Sequence, residues 1–537
     1  MKKAELVLKS TAVFTAVNDN VFKGGVAIAG NRIVAVGSDS EINEWIGPNT
    51  KVLEYGDELI MPGFNDAHVH LPYGSIVSDK SFTVELSQCN SQEECINTVK
   101  EFAEKNPNNE WIFGVGWYHL MWDNQKLPNR FSLDKVIPDR PICLVSADFH
   151  TLWANSKALE MCKIDNNTKN PSGGSIGRDE KGELNGLFYD EAGFLISLRA
   201  LDPPKEKLKA IFMTFLENAA KLGITSISDL YPRGVGCEDV YQYYKELEDD
   251  GSLTLRIHFF PELKEDLREA KEFKNKYFSE KLRFAGLKQI VDGVSSVHTA
   301  YLLEPYTDDS TIKGGTVVSE EILKEQIMNA DKEGFSVRLH TIGDGAVRFG
   351  LDCFEAAQMK NGRQGLRHAL EHNENINESE ISRFNKLGVI ASMQPLHATF
   401  DIDGMVKLLG EERCMLAWPM KTLLKADTIL AVGTDFPIVD LNPMRGIFAA
   451  VTRMTEELYP DGGWQPLEKL TMAGVLRAYT YGSAYSEGRE KDLGTLEEGK
   501  LADIIVLNKN LFDIPEKDIL KTKISLTVMD GKVVYED

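Results

Sequence analysis

Between residues 63 and 437 the chain repeats one pattern: a short apolar run, a polar loop, then a stretch of helical periodicity. Eight runs read as strands: GFNDAHVH (63–70), ITSISDLY (224–231), LRIHFFPE (255–262), FAGLKQIVDG (284–293), SVRLHTIG (336–343), GLRHALEH (365–372), GVIASMQP (388–395) and ILAVGTDFP (429–437). Stretches such as EKLKAIFMTFLENAAKLG and SEEILKEQIMNADKEG lie between them with the spacing of amphipathic helices. Strands connected through helices run parallel, and eight such units close a barrel. The pattern therefore predicts an α/β fold, a TIM-like (β/α)8 barrel over residues 61–477.

Two departures from the rhythm divide the chain further. The interval between the first and second runs is far longer than one βα unit needs, and it is rich in tryptophan and strand-like patches such as WIFGVGWYHLMWD and PICLVSADFHTLWANSKAL. It reads as an insertion over 72–205, on the face where barrel enzymes build their sites. The two ends are β-rich and turn-rich, from AELVLKSTAVFTA to ISLTVMDGKVVYED. Residues 1–60 and 478–537 are expected to assemble one β-sandwich, which brings the termini together.

At 537 residues the chain is too long for a single compact core. Its formal net charge of −22 argues against a nucleic-acid partner, which needs basic surface to displace counterions. No run approaches the ~20 apolar residues of a membrane helix, and Glu5 and Lys9 interrupt the only candidate leader. The seven cysteines (89, 95, 143, 162, 237, 353 and 414) form no CxxC pair and read as thiols in a reducing compartment. The expected setting is cytoplasmic, with a small-molecule substrate and no membrane partner; a homodimer is the expected assembly.

The chemistry gathers at the strand ends. His68 and His70 are two apart, so strand alternation turns both to one face. Runs five, six and eight end near His340, at His372 and at Asp435, where barrel strands deliver residues to the catalytic face. Four imidazoles and a carboxylate there suit zinc or another borderline divalent ion. Run four contributes Lys288. A charged amine is repelled by a cationic pocket, so Lys288 is expected neutral or carbamylated, the carbamate being an anion able to bridge two metals. Arg338 shares a strand face with His340 and can be read as holding a substrate carboxylate or as a salt bridge inside the barrel. Trp117, His150, His298 and His397 are candidate pocket liners, with core packing the plainer role for the tryptophan. Asp229 and Asp344 stand near strand ends as candidate outer carboxylates.

PGFNDAHVH, LKQIVDG, LHTIGDGAV, EHNE and GTDFP, in that order, resemble the amidohydrolase superfamily. GVGWYHLMWD, ADFHTLWANSKAL, GITSISDLY and SMQPLH narrow the resemblance to its amidohydrolase-3 branch, which includes N-substituted formamide deformylase, and GTLEEGKLADIIVL extends it to nearly the whole chain. The resemblance implies that His68, His70, His340, His372 and Asp435 are metal-site residues and Lys288 the carbamylated bridge. His298, in SSVHTAYLLEPY, stands where relatives tend to carry arginine. The implied activity is hydrolysis of a C–N bond, an N-formyl or N-acyl amide, by one or two divalent ions, with Asp435 as general base. A deaminase of a ring amidine on the same scaffold and a catalytically silent scaffold are the alternatives; the first needs one metal and an unmodified Lys288, the second loss of ligands.

Overall fold

The computed structural model describes residues 3–123, 125–148, 150–171, 174–231 and 240–537, so Cys237 lies outside the described residues. The described residues group into two compact units, one of 3–70, 216–231 and 244–537, the other of the described residues within 71–215 together with 240–243.

The first unit is built around two parallel sheets. One pairs β1 (Phe64–Val69), β2 (Ile224–Leu230), β3 (Arg256–Phe260) and β4 (Leu282–Phe284) in that order. The other pairs β5 (Leu287–Ile290), β6 (Val337–Thr341), β7 (Ala369–His372), β8 (Ile390–Met393) and β9 (Leu430–Val432). These strands are buried on both faces, β1, β2 and β3 along their whole length, which is why they read as continuous apolar runs. Helices capped by side chains connect several of them. Ser319 Oγ accepts from Ile322 N ahead of Glu320–Lys332, and Asn377 caps Glu378–Leu387, which ends on the left-handed Gly388.

Run four behaves differently from the single strand its sequence predicts. It breaks at Ala285–Gly286 into β4, which pairs with β3, and β5, which pairs with β6. A Cβ at Gly286 would lie 2.5 Å from the Ser336 carbonyl oxygen and 3.0 Å from the Phe260 ring, so the crossing admits only glycine. The edges of the two sheets meet through single parallel bridges, Glu262 with Lys288 and Val69 with Phe436. Backbone hydrogen bonds reinforce both seams: Lys288 N donates to Pro261 O at 2.8 Å and His70 N to Phe436 O at 2.9 Å.

Both ends of the chain enter one eight-stranded, sandwich-like sheet. Its path runs Lys532–Glu536, Ile524–Met529, Ile504–Leu507, Leu59–Pro62, Leu6–Phe14, Val21–Ala29 and Arg32–Gly37, with Lys51–Glu54 also pairing to Leu6–Phe14. Leu8, Val26, Ile60, Ile504 and Leu526 pack one face, while Val7, Ala27 and Ile42 pack the other. Arg256 of β3 is fully buried and reaches into this sheet's loops. Its Nε and Nη2 donate to Asp503 at 2.6 and 2.9 Å, and Nη2 donates to Asp530 at 3.1 Å. The fork geometry satisfies the guanidinium where water cannot.

The second unit holds a six-stranded sheet in the order Gly174–Arg178, Leu184–Asp190, Thr151–Ala154, Ile142–Ser146, Ile112–Trp117 and Thr83–Glu85. Trp117, Trp122 and Trp153 pack together in its core with Leu144 and Val99.

Removing one partner of a buried ion pair leaves an uncompensated charge, which costs about 3–5 kcal/mol. Asp503→Ala is therefore expected to lower unfolding free energy by roughly that amount in urea titration, and a midpoint equal to wild type would show that Asp530 alone suffices.

Candidate metal centre

Gly433, Thr434 and Asp435 follow β9 and are tied across to β1. Thr434 N and Oγ1 donate to the two Asp66 carboxylate oxygens at 2.9 and 2.6 Å, and Asp435 N donates to His68 O at 2.7 Å. A Cβ at Gly433 would sit 2.4 Å from His68 N, so glycine is what lets the segment lie this close. Asp435 itself is left-handed (φ +66°), as are His372 (φ +72°) and Asn373 (φ +51°). Non-glycine residues in this region carry strain that recurs at functional sites.

The result is a buried carboxylate ringed by imidazoles. Asp435 Oδ1 lies 3.3 Å from His68 Nε2 and 3.1 Å from His70 Nε2, and Asp435 Oδ2 lies 3.8 Å from His397 Nε2. Two donor clusters share this residue: His68, His70 and Asp435, and His372, His397 and Asp435, each with ligand atoms within 4.8 Å of one another.

Neighbouring acceptors hold the Nδ1 atoms of three of these rings. His68 Nδ1 meets Glu371 Oε2 at 2.8 Å, His70 Nδ1 meets Leu230 O at 2.7 Å, and His372 Nδ1 meets Gln394 Oε1 at 2.9 Å. Each of these partners is an acceptor, so each Nδ1 carries a proton. In the first cluster the neutral His68 turns a lone pair to the anionic Asp435 oxygen, while at His70 burial is outweighed by the hydrogen bond to Asp435 and its charge, which raise the ring's pKa. Three buried atoms of the centre, Asp435 Oδ1, His397 Nε2 and Lys288 Nζ, have no hydrogen-bond partner. Nitrogen and carboxylate donors of this kind fit a borderline divalent ion.

Burial pushes the His68 pKa down to about 4 despite the attraction of Asp435, so the ring is neutral. Burial alone would raise Asp435, but His68, His70 and His372 hold it well below the ordinary carboxylate range. Lys288 is 2% exposed, and burial lowers its amine to about 8, so a nucleophilic neutral fraction exists near physiological pH.

The residues singled out from sequence divide as follows. His68, His70, His372 and Asp435 are together. His340 stacks its ring edgewise 4.5 Å from His372, with Nδ1 3.3 Å from Asp292 Oδ1, but the two clusters do not include it. His397, expected as a pocket liner, lies in the second group of side chains that could hold a metal. Arg338 has no face open to a substrate carboxylate. It is wholly buried, donates to Ala67 O at 2.7 Å, Glu371 Oε1 at 3.3 Å and Ser486 Oγ at 2.7 Å, and lies over the Phe260 ring, so its salt-bridge reading is the one the structure adopts. Trp117 is likewise enclosed, its indole N–H donating to Leu144 O at 3.0 Å in the core of the second unit. His150, also in that unit, is half exposed beside Asp190 at 2.8 Å. His298 is left-handed and bonded through Nε2 to Asp308 at 3.0 Å. Asp229 accepts from Tyr244 and Asp344 from Leu303 N, and neither contact is to a cluster residue.

Sequence reading passed over Glu371, Asp292, Gln394, Asp66 and Glu374. Glu371 stands one residue before His372 and Asp66 two before His68, but only the fold shows where they turn. Burial, with Asp292 and Asp435 nearby, raises the Glu374 carboxyl to about 8; it lies 3.9 Å from His397 Nδ1.

A model of the amidohydrolase family matches residues 56–535. The chain belongs to the amidohydrolase family. Within its amidohydrolase-3 branch, the chain is similar to Protein LONG AFTER FAR-RED 3 of Arabidopsis thaliana, at 31% identity over 99% of this chain and 92% of that one. It is also similar to N-substituted formamide deformylase of Arthrobacter pascens, at 24% identity over 99% and 98%. Among solved structures it resembles an uncharacterized metal-dependent hydrolase from Pyrococcus furiosus, with a TM-score of 0.78 and 28% identity over 95% of this chain and 100% of that one. The histidine–aspartate clusters and this membership together make this amidohydrolase a metal-dependent hydrolase of C–N bonds. Among the described residues no helix is long and apolar enough to cross a membrane.

Because Asp435 belongs to both clusters, Asp435→Ala is expected to deplete bound divalent metal at both, whereas His70→Ala depletes it at one. Elemental analysis of protein purified without chelator checks this; equal losses in the two variants would contradict a shared carboxylate.

Proposed function

We propose that the two parallel sheets form one closed (β/α)8 barrel, and that a binuclear centre at its mouth hydrolyses an N-formyl or N-acyl amide. The observation that carries this reading is Asp435, the carboxylate that both donor clusters share. One ion would be held by His68, His70 and Asp435, the other by His372 and His397 with Asp435, and His340 stands beside the second group. Zinc suits the nitrogen and oxygen donors. Lys288, buried with an unpartnered amine, fits a carbamate formed with carbon dioxide, which converts an orphaned donor into an anionic ligand.

When bound, divalent ions lower the pKa of water and polarise a carbonyl oxygen. Asp435 accepts the proton of the attacking water on its carboxylate and passes it to the leaving nitrogen. An amide and water thereby become a carboxylic acid and an amine, with no further reactant. Proton transfer of this kind contributes about 10²–10⁴-fold. Glu371 and the Leu230 carbonyl keep His68 and His70 in the tautomer that faces Asp435. The formamide deformylase relative supports the formyl or acyl preference.

The test is release of formate and amine from an N-alkyl formamide. Stoichiometric release that is lost on chelation and regained with Zn²⁺ is expected, with Asp435→Asn lowering turnover by about 10²–10⁴-fold. Release of ammonia from a ring amidine without amide hydrolysis would replace this reading with the deaminase. Lys288→Met is expected to lower bound metal from two ions to one per chain; unchanged stoichiometry would remove the carbamate from the account.

A further inference from the structure

We infer that Cys89 and Cys95, in the second unit, are an oxidation site: a hydroperoxide closes them into a disulfide across the start of the helix Gln92–Lys105. Neither residue belongs to the metal clusters, and the inference stands independently of them. The local backbone brings the two thiols together. Ser91 is the N-cap of the helix, its hydroxyl accepting from Glu94 N at 3.1 Å. The Glu94 carboxylate accepts in turn from Asn90 N at 2.7 Å, which holds the chain ahead of the cap against the first turn. Cys89 N donates to Leu86 O at 3.0 Å and Cys95 N to Ser91 O at 3.1 Å, so both backbones are fixed.

A residue ahead of a helix cap commonly packs on the first turn as a hydrophobic staple. Here both members of that contact are cysteines. Cys89 Sγ lies 3.7 Å from Thr98 Oγ1, and Thr98 is the next residue after Cys95 on the same helix face. The Cys89 and Cys95 thiols are hydrogen-bonded to each other, and both pack with Val84, Leu86 and Val99. Access separates them. Cys89 is half-buried and Cys95 completely buried. Burial, with the Cys89 thiol beside it, pushes the Cys95 thiol well above its ordinary pKa.

Peroxide therefore reacts at Cys89. The sulfur attacks one peroxide oxygen, the O–O bond breaks, and the departing oxygen takes up the thiol proton as water, leaving Cys89 as a sulfenic acid. The Cys95 sulfur then attacks the Cys89 sulfur. The S–O bond breaks, and the hydroxyl leaves with the Cys95 proton as a second water. Two thiols are oxidised to one disulfide, and one hydrogen peroxide is reduced to two waters. Because the resolving thiol already touches Cys89, the disulfide forms ahead of further oxidation to sulfinic acid. The bond ties the turn after the edge strand Thr83–Glu85 to the helix that follows it.

The test treats reduced full-length protein with hydrogen peroxide, alkylates remaining thiols with N-ethylmaleimide, and digests with trypsin for mass spectrometry. Residues 81–100 form a single tryptic peptide that carries both cysteines. That peptide should lose about 2 Da, the two thiol hydrogens, and take up no maleimide. Dithiothreitol should restore two alkylated thiols. Cys95→Ser should instead leave a Cys89 sulfenic acid that dimedone captures, and Cys89→Ser should leave Cys95 unoxidised. If either variant fails to fold, the wild-type peptide decides alone. A disulfide from Cys89 to Cys143, Cys162 or Cys237 would overturn the inference. So would an unchanged peptide at a peroxide dose that oxidises Met359, which is 83% exposed.

Discussion

The structure depends on one electrostatic constraint. Asp435 carries its charge almost wholly buried, among imidazoles whose Nδ1 atoms are already committed to acceptors. Its Oδ1 lies 3.1 to 3.3 Å from the Nε2 atoms of His70 and His68, a donor set that fits a divalent cation. Everything around them serves to hold that arrangement: the Asp66 clamp on Thr434, the glycine at 433, and the left-handed backbone at Asp435 and His372. Strain of about 1–3 kcal/mol at each such residue is sustainable only where neighbouring structure fixes it. Here that structure is the parallel sheet register, which sets His340 beside Glu371 and Thr341 beside His372.

What the sequence revealed and what it withheld follow from the same geometry. Strand ends were readable because an apolar run that stops at a histidine or aspartate leaves a visible mark. His68, His70, His372 and Asp435 stand out in this way, and the fold brings them together. The break at Gly286 was not readable, because a strand that changes partner keeps its apolar character; only the approach of Ser336 and Phe260 reveals it. Arg338 shows the opposite difficulty. Its place two residues before His340 was correctly read as the same strand face, but facing alone does not give depth. Two residues earlier on β6, the arginine meets Glu371 and a backbone carbonyl and is wholly buried. His397 follows β8 on a short 3-10 turn rather than ending a strand, so strand-end reasoning gave it only a pocket-lining place, and the fold sets it near Asp435.

Support for the centre extends beyond its immediate neighbours. Arg256 ties β3 to Asp503 and Asp530 in the sheet made by the two ends of the chain. On the inner side, His258 of the same strand meets Glu487, which also accepts from Asn65 of β1 and Ser228 of β2. Residues from the C-terminal part of the chain therefore fix β3 and the neighbouring β1 and β2. This gives the terminal sheet a structural purpose that its sequence, read alone, did not suggest.

The central claim is that Asp435 is the carboxylate shared by two metal positions. It is tested most directly by a crystal structure of protein loaded with Zn²⁺, with anomalous scattering recorded at the zinc edge. The account predicts two peaks, one among His68, His70 and Asp435 and one between Asp435 and the His372–His397 pair. A structure with no peak beside Asp435, its Oδ1 hydrogen-bonded to a protonated imidazole instead, would contradict it.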